Sequence, residues 1–299
     1  MTENRNILVT GATGKQGGAV ARELLARGYS IRAMTRKPEG EAAQVLAGLG
    51  AEIVPGDLDD ATSLARAVEG VWGVYAVQNT WEAGVEREEE QGKRLARIAK
   101  DAGVEHYVYS SVASAHRHTG IPHFDNKWRI EETVRQLKFP SYTIIRPVFF
   151  MENFLSPMMK PSLAEGKLLM ALEPTTALQM IAVEDIGKYD AWAFDDHEAL
   201  NGRAVDIAGD ARTMPETAEI LSSAIGRKIE FVRTPIEQVR QWSEDYAIML
   251  EWFDAVGYDV DIPSLARESG VRPLTLPEWA AKVDWGAEKV AVAEESAAR

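Results

Sequence analysis

The sequence predicts an α/β fold, in which a doubly wound parallel sheet forms a main lobe and a smaller C-terminal α/β lobe serves a substrate or a partner. In the first half of the chain, short apolar runs alternate with amphipathic stretches, which is typical of a parallel sheet covered on both faces. A glycine-rich turn directly follows the first apolar run. After residue 150 the alternation is lost, and three prolines (157, 161 and 174) interrupt the chain. We therefore expect the main lobe over residues 1–150 and the smaller lobe over residues 151–299.

The alternation in the first half predicts the individual elements of the main lobe. The strands are expected at Asn6–Thr10, Ser30–Thr35, Glu52–Pro55, Gly73–Gln78, His106–Ser110 and Tyr142–Arg146. The helices are expected near Gln16–Arg27, Glu41–Gly48, Asp60–Val68, Val85–Ala102 and Asn126–Leu137. Right-handed crossovers between such elements place ligands at the carboxyl ends of the strands.

The second half is less regular, but it still predicts several elements. A strand near residues 204–208 is expected to return to the main sheet, so the two lobes are expected to be interleaved in sequence. Beyond it, the pattern predicts a helix at Thr213–Gly226, a strand at Lys228–Val232, helical structure over Ile236–Glu251 and a last helix at Pro277–Asp284. The alanine- and glutamate-rich tail from Glu288 to Arg299 is expected to be frayed or weakly helical.

The composition excludes several classes of function. The formal net charge is −13 without a lysine- and arginine-rich run, so we expect no direct nucleic-acid binding, which depends on cationic contacts to phosphates. The absence of cysteine excludes disulfides, thiol catalysis and cysteine-ligated zinc. The first residues lack the apolar core of a signal peptide, and no stretch approaches the roughly 20 apolar residues of a spanning helix. We therefore expect a cytoplasmic protein without membrane attachment.

Histidines and acidic runs do not predict a metal site. His116 and His118 supply two ligands at most, and no acidic motif stands at a recognised spacing, so no metal is expected. The run Glu86-Arg-Glu-Glu-Glu90 opens a predicted helix, where acidic side chains favour the helix dipole. A solvent-exposed helix face is the expected explanation of that run.

The glycine turn is the strongest functional signal. Gly11, Gly14 and Gly17 form a Gly-x-x-Gly-x-x-Gly pattern between a strand and a helix. A dinucleotide pyrophosphate requires this order, because the first glycine allows a tight turn, the second lets the backbone approach the phosphates, and the third lets helix and strand pack closely. The helix N-terminus then presents N–H groups and a partial positive charge to the anion. An ordinary turn between a strand and a helix is the alternative interpretation.

The residues that end the second strand indicate which nicotinamide cofactor is bound. A carboxylate there hydrogen-bonds the 2′-hydroxyl of NAD, whereas the 2′-phosphate of NADP requires a cation. The strand ends without a carboxylate, and Arg36 can pair with a phosphate through its planar guanidinium. Lys15 in the glycine turn can add a second charge. We therefore expect NADP(H) rather than NAD(H), with a plain surface role as the alternative for each cation.

Two further loops fit the same cleft. After the third strand, Asp57 can bond the adenine amino group and Leu58 can cover the ring, although Asp57 or one of the two aspartates after Leu58 can instead cap the next helix. After the fourth strand, Gln78 and Asn79 lie where a cofactor ribose passes. A plain polar turn is the alternative there.

Several of these motifs occur together in one known family. They are Thr10-Gly-Ala-Thr-Gly-Lys-Gln-Gly-Gly, Thr35-Arg-Lys-Pro, Gly56-Asp-Leu-Asp, His123-Phe-Asp-Asn-Lys and Arg146-Pro-Val-Phe-Phe-Met-Glu-Asn-Phe. With them, the chain resembles the NmrA-like family, atypical relatives of the short-chain dehydrogenase/reductase superfamily, from about residue 5 to 280. The resemblance implies a Rossmann-type lobe that binds NADP(H) beside a smaller lobe. It implies either a redox-sensing regulator with a protein partner, or a reductase of quinones or phenolic compounds.

The resemblance also assigns roles to single residues. The pyrophosphate turn is matched by Gly11, Thr13, Gly14, Gln16 and Gly17. Arg36 matches the residue that reads the 2′-phosphate, and Lys127 matches the lysine that holds the nicotinamide ribose in the wider superfamily. The backbone that meets the carboxamide is matched by Pro147, Val148 and Phe149.

The proton donor of ordinary short-chain dehydrogenases is missing. Those enzymes carry a tyrosine four residues before the lysine, whose ammonium lowers the tyrosine pKa. Here the spacing survives as His123-x-x-x-Lys127, with histidine in place of tyrosine. His123 can supply a proton near neutral pH, or it can be a loop histidine after a proline. Ser110, Ser111 and Ser114 follow the fifth strand, and we expect one of them to face the cleft.

Two functions follow from the missing tyrosine. The protein is either a cofactor sensor that a regulatory partner reads, or a reductase of a small apolar acceptor, a quinone or activated alkene, that needs little acid assistance. Because the usual proton carrier is absent, sensing is slightly favoured on the sequence alone.

Overall fold

The fold is seen in a computed structural model, which describes residues 5–285. Its first half contains β1 (Asn6–Val9), α1 (Lys15–Ala26), β2 (Ser30–Thr35), α2 (Glu41–Gly48), β3 (Glu52–Pro55), α3 (Ala61–Val68), β4 (Gly73–Ala76), α4 (Thr80–Ala83), α5 (Val85–Asp101), β5 (His106–Ser110), a 3₁₀ turn (Ala115–Arg117), α6 (Pro122–Leu137) and β6 (Ser141–Pro147).

The second half adds shorter strands and several helices. In chain order they are β7 (Phe149–Phe150), a 3₁₀ turn (Met151–Leu155), α7 (Lys160–Ala164), β8 (Lys167–Met170), β9 (Leu178–Ile181), α8 (Val183–Asp195), β10 (Ala204–Ile207), β11 (Asp210–Arg212), α9 (Met214–Ile225), β12 (Glu230–Arg233), α10 (Ile236–Trp242), α11 (Glu244–Ala255), α12 (Ile262–Ser269) and α13 (Leu276–Lys282). The tail expected from Glu288 to Arg299 lies outside the described residues.

The main sheet has seven strands in the order β10-β6-β5-β4-β1-β2-β3. Every neighbouring pair in it is parallel. The predicted α/β class with a doubly wound parallel sheet is therefore confirmed. The strand order reverses at β1, whose neighbours are β2 and β4, and a ligand of such a sheet binds at this switch point, outside the carboxyl ends of the strands.

Helices cover both faces of this sheet. On one face, Leu64 of α3, Leu95 of α5 and Ile130 of α6 pack with Val74 and Tyr107 of the central strands in one apolar cluster. On the other face α1 packs against α8, so closely that a Cβ on Gly187 would lie 2.9 Å from the Ala19 carbonyl oxygen. All residues of β4 and β5 are buried, as expected for central strands of a sheet that is covered on both faces.

The chain divides into two compact units. The first runs up to Pro147 and also takes Val183–Ile207 and Arg267–Val271, so it contains the whole main sheet with β10. The second takes Val148–Ala182, Ala208–Ala266 and the chain from Arg272. Within it lie a three-stranded sheet, β11-β9-β7, and a two-stranded sheet, β12-β8.

Helices α4, α7 and α8 were not predicted, and two predicted helices differ from their expected bounds by more than two residues. Helix α6 begins at Pro122 rather than Asn126, because proline is well tolerated in the first turn, where its missing N–H is not needed. The helix expected over Ile236–Glu251 is broken into α10 and α11, since Ser243 has extended backbone and its hydroxyl accepts from the Tyr246 N–H. Helix α4 was not predicted, because four residues carry no periodic signal.

Candidate functional site

The glycine turn has the geometry that its three glycines predict. Gly11 has a positive φ of 60°, and its carbonyl accepts a hydrogen bond of 2.9 Å from the Gly14 N–H. A Cβ on Gly17 would lie 2.4 Å from the Gly11 carbonyl oxygen, a distance that no side chain tolerates. Helix and strand therefore approach each other closely only because residue 17 lacks a side chain.

Helix α1 begins inside this turn, directly after Gly14. Its N-cap is Gly14, and within residues 5–285 no side chain caps it, nor does its first turn contain an acidic residue. An uncapped helix N-terminus with a partial positive charge favours an anion. Lys15 lies in the same turn of the helix.

Side chains join the turn to the neighbouring strand ends. The Thr10 hydroxyl donates to the Val77 carbonyl at 3.1 Å and accepts from the Val77 N–H at 2.9 Å. The Gln16 amide donates to the Ser110 hydroxyl at the end of β5. These contacts hold the ends of β1, β4 and β5 together. Gln16 and Ser110 therefore lie in contact at the carboxyl edge of the sheet, where a ligand site is expected.

The loop after β2 carries Arg36 beside the loop after β3. Arg36, Asp57 and Arg66 line one cavity of about 450 Å³ at this edge of the sheet. Arg66 lies in α3 and gave no sequence signal, because its position beside Arg36 depends on how α3 packs. The cavity thus has two guanidinium groups on its wall.

Arg36 is ion-paired with Glu82 of α4. The side chains are 61% and 54% exposed, so the pair is largely solvated. Thr35, just before Arg36, contacts the Thr13 hydroxyl of the glycine turn at 3.4 Å. The expected phosphate reader therefore lies next to the turn.

Asp57 and Leu58 adopt roles that the sequence left open. Asp60, not Asp57, caps α3, since its carboxylate accepts from the Thr62 N–H at 2.9 Å. Asp57 instead accepts from the Asp59 N–H at 3.0 Å and forms a wall of the cavity. Leu58 is partly buried and packs against the core cluster.

Gln78 presents a buried amide at the end of β4. Its side chain is only 5% exposed, yet among residues 5–285 neither its Oε1 nor its Nε2 atom has a hydrogen-bond partner. An unpaired buried amide carries a desolvation cost of about 1–3 kcal/mol, which a ligand that bonds it would offset. Asn79, the next residue, caps α4 by accepting from the Trp81 N–H at 3.1 Å.

Lys127 on α6 is held by a buried carboxylate. Its Nζ atom lies 2.5 Å from Oε1 of Glu88 on α5, whose side chain is wholly buried. Glu88 also accepts from the Thr80 hydroxyl and from the Asn126 amide. Burial opposes ionisation of Glu88, but the Lys127 ammonium and these hydrogen bonds outweigh it and lower the pKa of the carboxyl. The interpretation of the acidic run as a solvent-exposed face was wrong for this glutamate.

His123 lies in the first turn of α6 rather than in a loop, which removes the loop alternative. Its ring is 7% exposed and lies 5.2 Å from the Trp81 ring and 4.8 Å from the Phe124 ring. His123 and Lys127 are four residues apart on one helix, so they share a face. The spacing of the missing tyrosine–lysine pair is therefore kept in the structure by a histidine.

The serines after β5 differ in their environment. Ser110 is buried against Gln16, and the buried Ser111 hydroxyl has no hydrogen-bond partner in the described part of the chain. Ser114 has a positive φ of 65°, and its N–H donates to Asp206 at 2.8 Å. Ser110 and Ser111 are thus the serines that stand at the carboxyl edge of the sheet.

A further buried acid lies beneath this edge. Asp190 of α8 is completely buried, with the buried Tyr75 side chain of β4 beside it. Burial raises the pKa of Asp190 well above its ordinary range. A single acidic residue in a helix pattern gives no sequence signal of this kind.

These residues fit a bound dinucleotide. The turn at Gly17 has no room for a side chain. In the part of the chain that the structure describes, no side chain caps the N-terminus of α1, and the Gln78 amide has no hydrogen-bond partner. Each feature satisfies a need of a pyrophosphate or of a polar ribose.

A comparison with protein families shows to which family the chain belongs. The profile of the NmrA-like family matches residues 3–284. The chain belongs to the NmrA-like family. An NmrA-like family domain-containing protein of Dictyostelium discoideum is 28% identical over 269 residues, which are 85% of this chain and 89% of that protein. An NmrA-like family domain-containing oxidoreductase of Aspergillus hancockii is 32% identical over 249 residues, 76% of this chain and 74% of that protein.

Solved structures share the NmrA-like fold. NmrA, a negative transcriptional regulator in complex with NADP, has a TM-score of 0.74 at 20% identity over 99% of both chains. The NADPH-dependent quinone oxidoreductase of Escherichia coli, complexed with NADPH, has a TM-score of 0.77 at 23% identity over 92% of this chain and 98% of that chain. The Citrobacter sp. triphenylmethane reductase complexed with NADP(H) has a TM-score of 0.77 at 22% identity over 93% and 99%. At these identities the likeness establishes the fold.

The first unit of this NmrA-like protein brings most predicted site residues to one sheet edge. Pro147 ends β6 at that edge, whereas Val148 and Phe149 belong to the second unit, where Phe149 pairs with Met180. Within residues 5–285, no group of three or more acidic or histidine side chains is placed to hold a metal ion. Over the same residues, no helix combines the length and the apolar character needed to cross a membrane.

Proposed function

We propose that this NmrA-like protein is an NADP(H)-dependent reductase of a small apolar acceptor, a quinone or an activated alkene. The observation that carries the proposal is the glycine turn next to Arg36, with no carboxylate at the end of β2. This combination favours the 2′-phosphate of NADP(H) over the 2′-hydroxyl of NAD(H). The expected cytoplasmic location stays a prediction.

The remaining residues of the first unit are assigned along a bound NADP(H). The turn residues Gly11, Thr13, Gly14, Gln16 and Gly17 receive the pyrophosphate, with Lys15 nearby. Gln78 and Asn79 face the ribose region, and Asp57 and Leu58 face the adenine. The uncapped N-terminus of α1 and the unpartnered Gln78 amide support these assignments.

The arrangement on α6 supports reduction without a strong acid. Bound NADPH would supply a hydride to the acceptor, and His123 would donate the proton that completes the reduced product. Lys127 is held by Glu88, so it can hydrogen-bond ribose hydroxyls but has no phenol to activate. A quinone or an activated alkene suits this site, since the negative charge left by hydride transfer is delocalised and needs little acid assistance.

The relatives favour catalysis over regulation. Several of them are named NmrA-like family domain-containing oxidoreductases, and one is 32% identical over 76% of this chain. A redox-sensing regulator that binds NADP(H) and a protein partner remains the second candidate. Its support is the missing tyrosine, because a sensor needs the cofactor but not a proton carrier.

Turnover with purified protein tests the proposal. NADPH oxidation is followed with a panel of benzoquinones, naphthoquinones, enones and aldehydes. We expect oxidation with quinones or enones, and His123→Ala should lower kcat about 10²-fold, the lower end of general acid catalysis. His118→Asn is the control, because it removes an exposed histidine whose φ of 51° an asparagine tolerates.

The outcomes separate the two candidates. Equal rates for wild type and His123→Ala would overturn the role of His123. If no acceptor is reduced, while NADPH and NADP⁺ protect the protein from protease at different sites, the regulator takes the place of the reductase. Binding of neither dinucleotide would overturn both.

A further inference from the structure

Three consecutive residues of α4 contact three different parts of the site. The Thr80 hydroxyl donates to Glu88, the Trp81 ring lies 5.2 Å from the His123 ring, and the Glu82 carboxylate pairs with Arg36. Helix α4 therefore connects the α6 residues with the expected phosphate reader.

The Arg36–Glu82 pair joins segments that follow two strands flanking β1. Arg36 follows β2 and Glu82 follows β4, and the strand between them is β1, which leads into the turn. Neighbouring strands lie about 4.8 Å apart, so the ends of β2 and β4 are separated by roughly 10 Å. The ion pair therefore joins segments that follow the two strands on either side of β1.

We propose that Glu82 is a specificity-determining residue, which competes with the 2′-phosphate of NADP(H) for Arg36 and so weakens the discrimination against NAD(H). The inference rests on the proposed binding of NADP(H). Both side chains are more than half exposed, so their pair is weak enough for a phosphate to displace. NAD(H) has no 2′-phosphate and leaves the pair in place.

The displaced carboxylate stays close to Arg36. Asn79 caps α4, Thr80 binds the buried Glu88, and the Gly84 N–H donates to the Thr80 carbonyl at 2.7 Å. These contacts hold the backbone of Glu82 in place. The carboxylate thus remains a negative charge near Arg36 while the phosphate is bound, which costs NADP(H) affinity and leaves NAD(H) affinity unchanged.

Calorimetric titration of Glu82→Gln with NADPH and with NADH tests the proposal. At about 0.1 M salt, we expect Glu82→Gln to bind NADPH about fivefold more tightly than wild type, as loss of one partly screened charge interaction predicts, and to bind NADH equally well. Glu39→Gln is the matched control, because Glu39 is an exposed glutamate three residues after Arg36. It should change neither affinity by more than about twofold.

A second variant tests whether Glu82 acts through Arg36. In an Arg36→Ala background, Glu82→Gln should change NADPH affinity by less than about twofold, because the group for which carboxylate and phosphate compete is gone. A full fivefold effect there, equal gains for NADPH and NADH, or the same gain in Glu39→Gln would each overturn the inference. NADPH binding that does not respond to Glu82→Gln overturns the inference alone, whereas a wild type that binds neither dinucleotide overturns the proposed function as well.

Discussion

The ammonium of Lys127 lies 2.5 Å from a carboxylate oxygen of Glu88, and the Glu88 side chain has no exposed surface. The pair joins α5 to α6 at the carboxyl edge of the sheet. Lys127 is therefore held in position by a residue of the neighbouring helix α5.

Removal of Lys127 should destabilise the protein strongly. Lys127→Ala leaves a buried carboxylate without its cation, so we expect the free energy of unfolding to fall by about 3 kcal/mol in urea titrations. Lys93→Ala is the control, because its pair with Glu89 is partly solvated and its loss should cost less than about 1 kcal/mol. Equal losses in both variants would contradict the assignment of a buried pair.

The same pair should give the protein an acid-sensitive stability. The pKa of Glu88 is lowered in the folded state, so its stabilisation is complete above the ordinary value of 4.5 and is lost as pH falls through the folded-state pKa. Between about pH 6 and pH 3, wild type should therefore lose more unfolding free energy than Glu88→Gln. Parallel curves for the two proteins would show that Glu88 does not titrate in this way.

Asp190 should act in the opposite direction. Burial raises its pKa in the folded state above the ordinary 3.8, so the folded protein retains a proton that the unfolded chain releases, and stability falls as pH rises between the two values. Asp190→Asn removes this pH-dependent loss of stability. The stability gained by the variant should therefore grow by about 1.4 kcal/mol per pH unit between the two pKa values. Thermal melts at pH 5 and pH 8 measure the gain, with the exposed Glu90→Gln as a control that should show no such trend.

Gly17→Ala should prevent the turn from forming as it does here. The new Cβ would lie 2.4 Å from a backbone oxygen, so helix and strand must separate, and we expect a loss of about 2–4 kcal/mol together with loss of NADPH binding. Gly48→Ala is the matched control at an exposed helical position with no atom within 4 Å of the added Cβ. It should stabilise the protein by about 0.5–1 kcal/mol.

Gln78→Met should raise stability and weaken cofactor binding at once. The amide is buried without partners among the described residues, so replacing it by an apolar side chain of similar length should stabilise the protein by about 1 kcal/mol. If the amide bonds NADP(H), the same variant should bind NADPH about tenfold more weakly, a loss of about 1.4 kcal/mol. A variant that is more stable yet binds NADPH as tightly as wild type would remove Gln78 from the site.

The regular parts of the fold could be read from the sequence because they depend on local pattern. The bounds predicted for β2, β3, β5 and α2 agree with the structure at both ends. Each of these elements has an apolar run or an amphipathic period bounded by polar or glycine residues. The glycine turn could also be predicted from the sequence, because the order of strand, glycine pattern and helix along the chain identifies it.

The contacts that shape the site were not readable, because they join residues far apart in sequence. Glu88 stands in an acidic run, and nothing local distinguishes it from the exposed Glu90. Its burial follows from the packing of α5 on α6 beside Lys127, which is 39 residues away. The same holds for Arg66, which shares a cavity wall with Arg36 only after α3 has packed.

The first unit is assembled from three separate stretches of chain, and this limits how the protein can be cut. A fragment ending at Pro147 would lack β10, leaving β6 as an unpaired sheet edge, and would lack α8, uncovering the apolar side of α1. Such a fragment should aggregate on expression. No single cut in the chain separates the two units intact. A chimera between homologues therefore cannot exchange one unit by joining two fragments at one point.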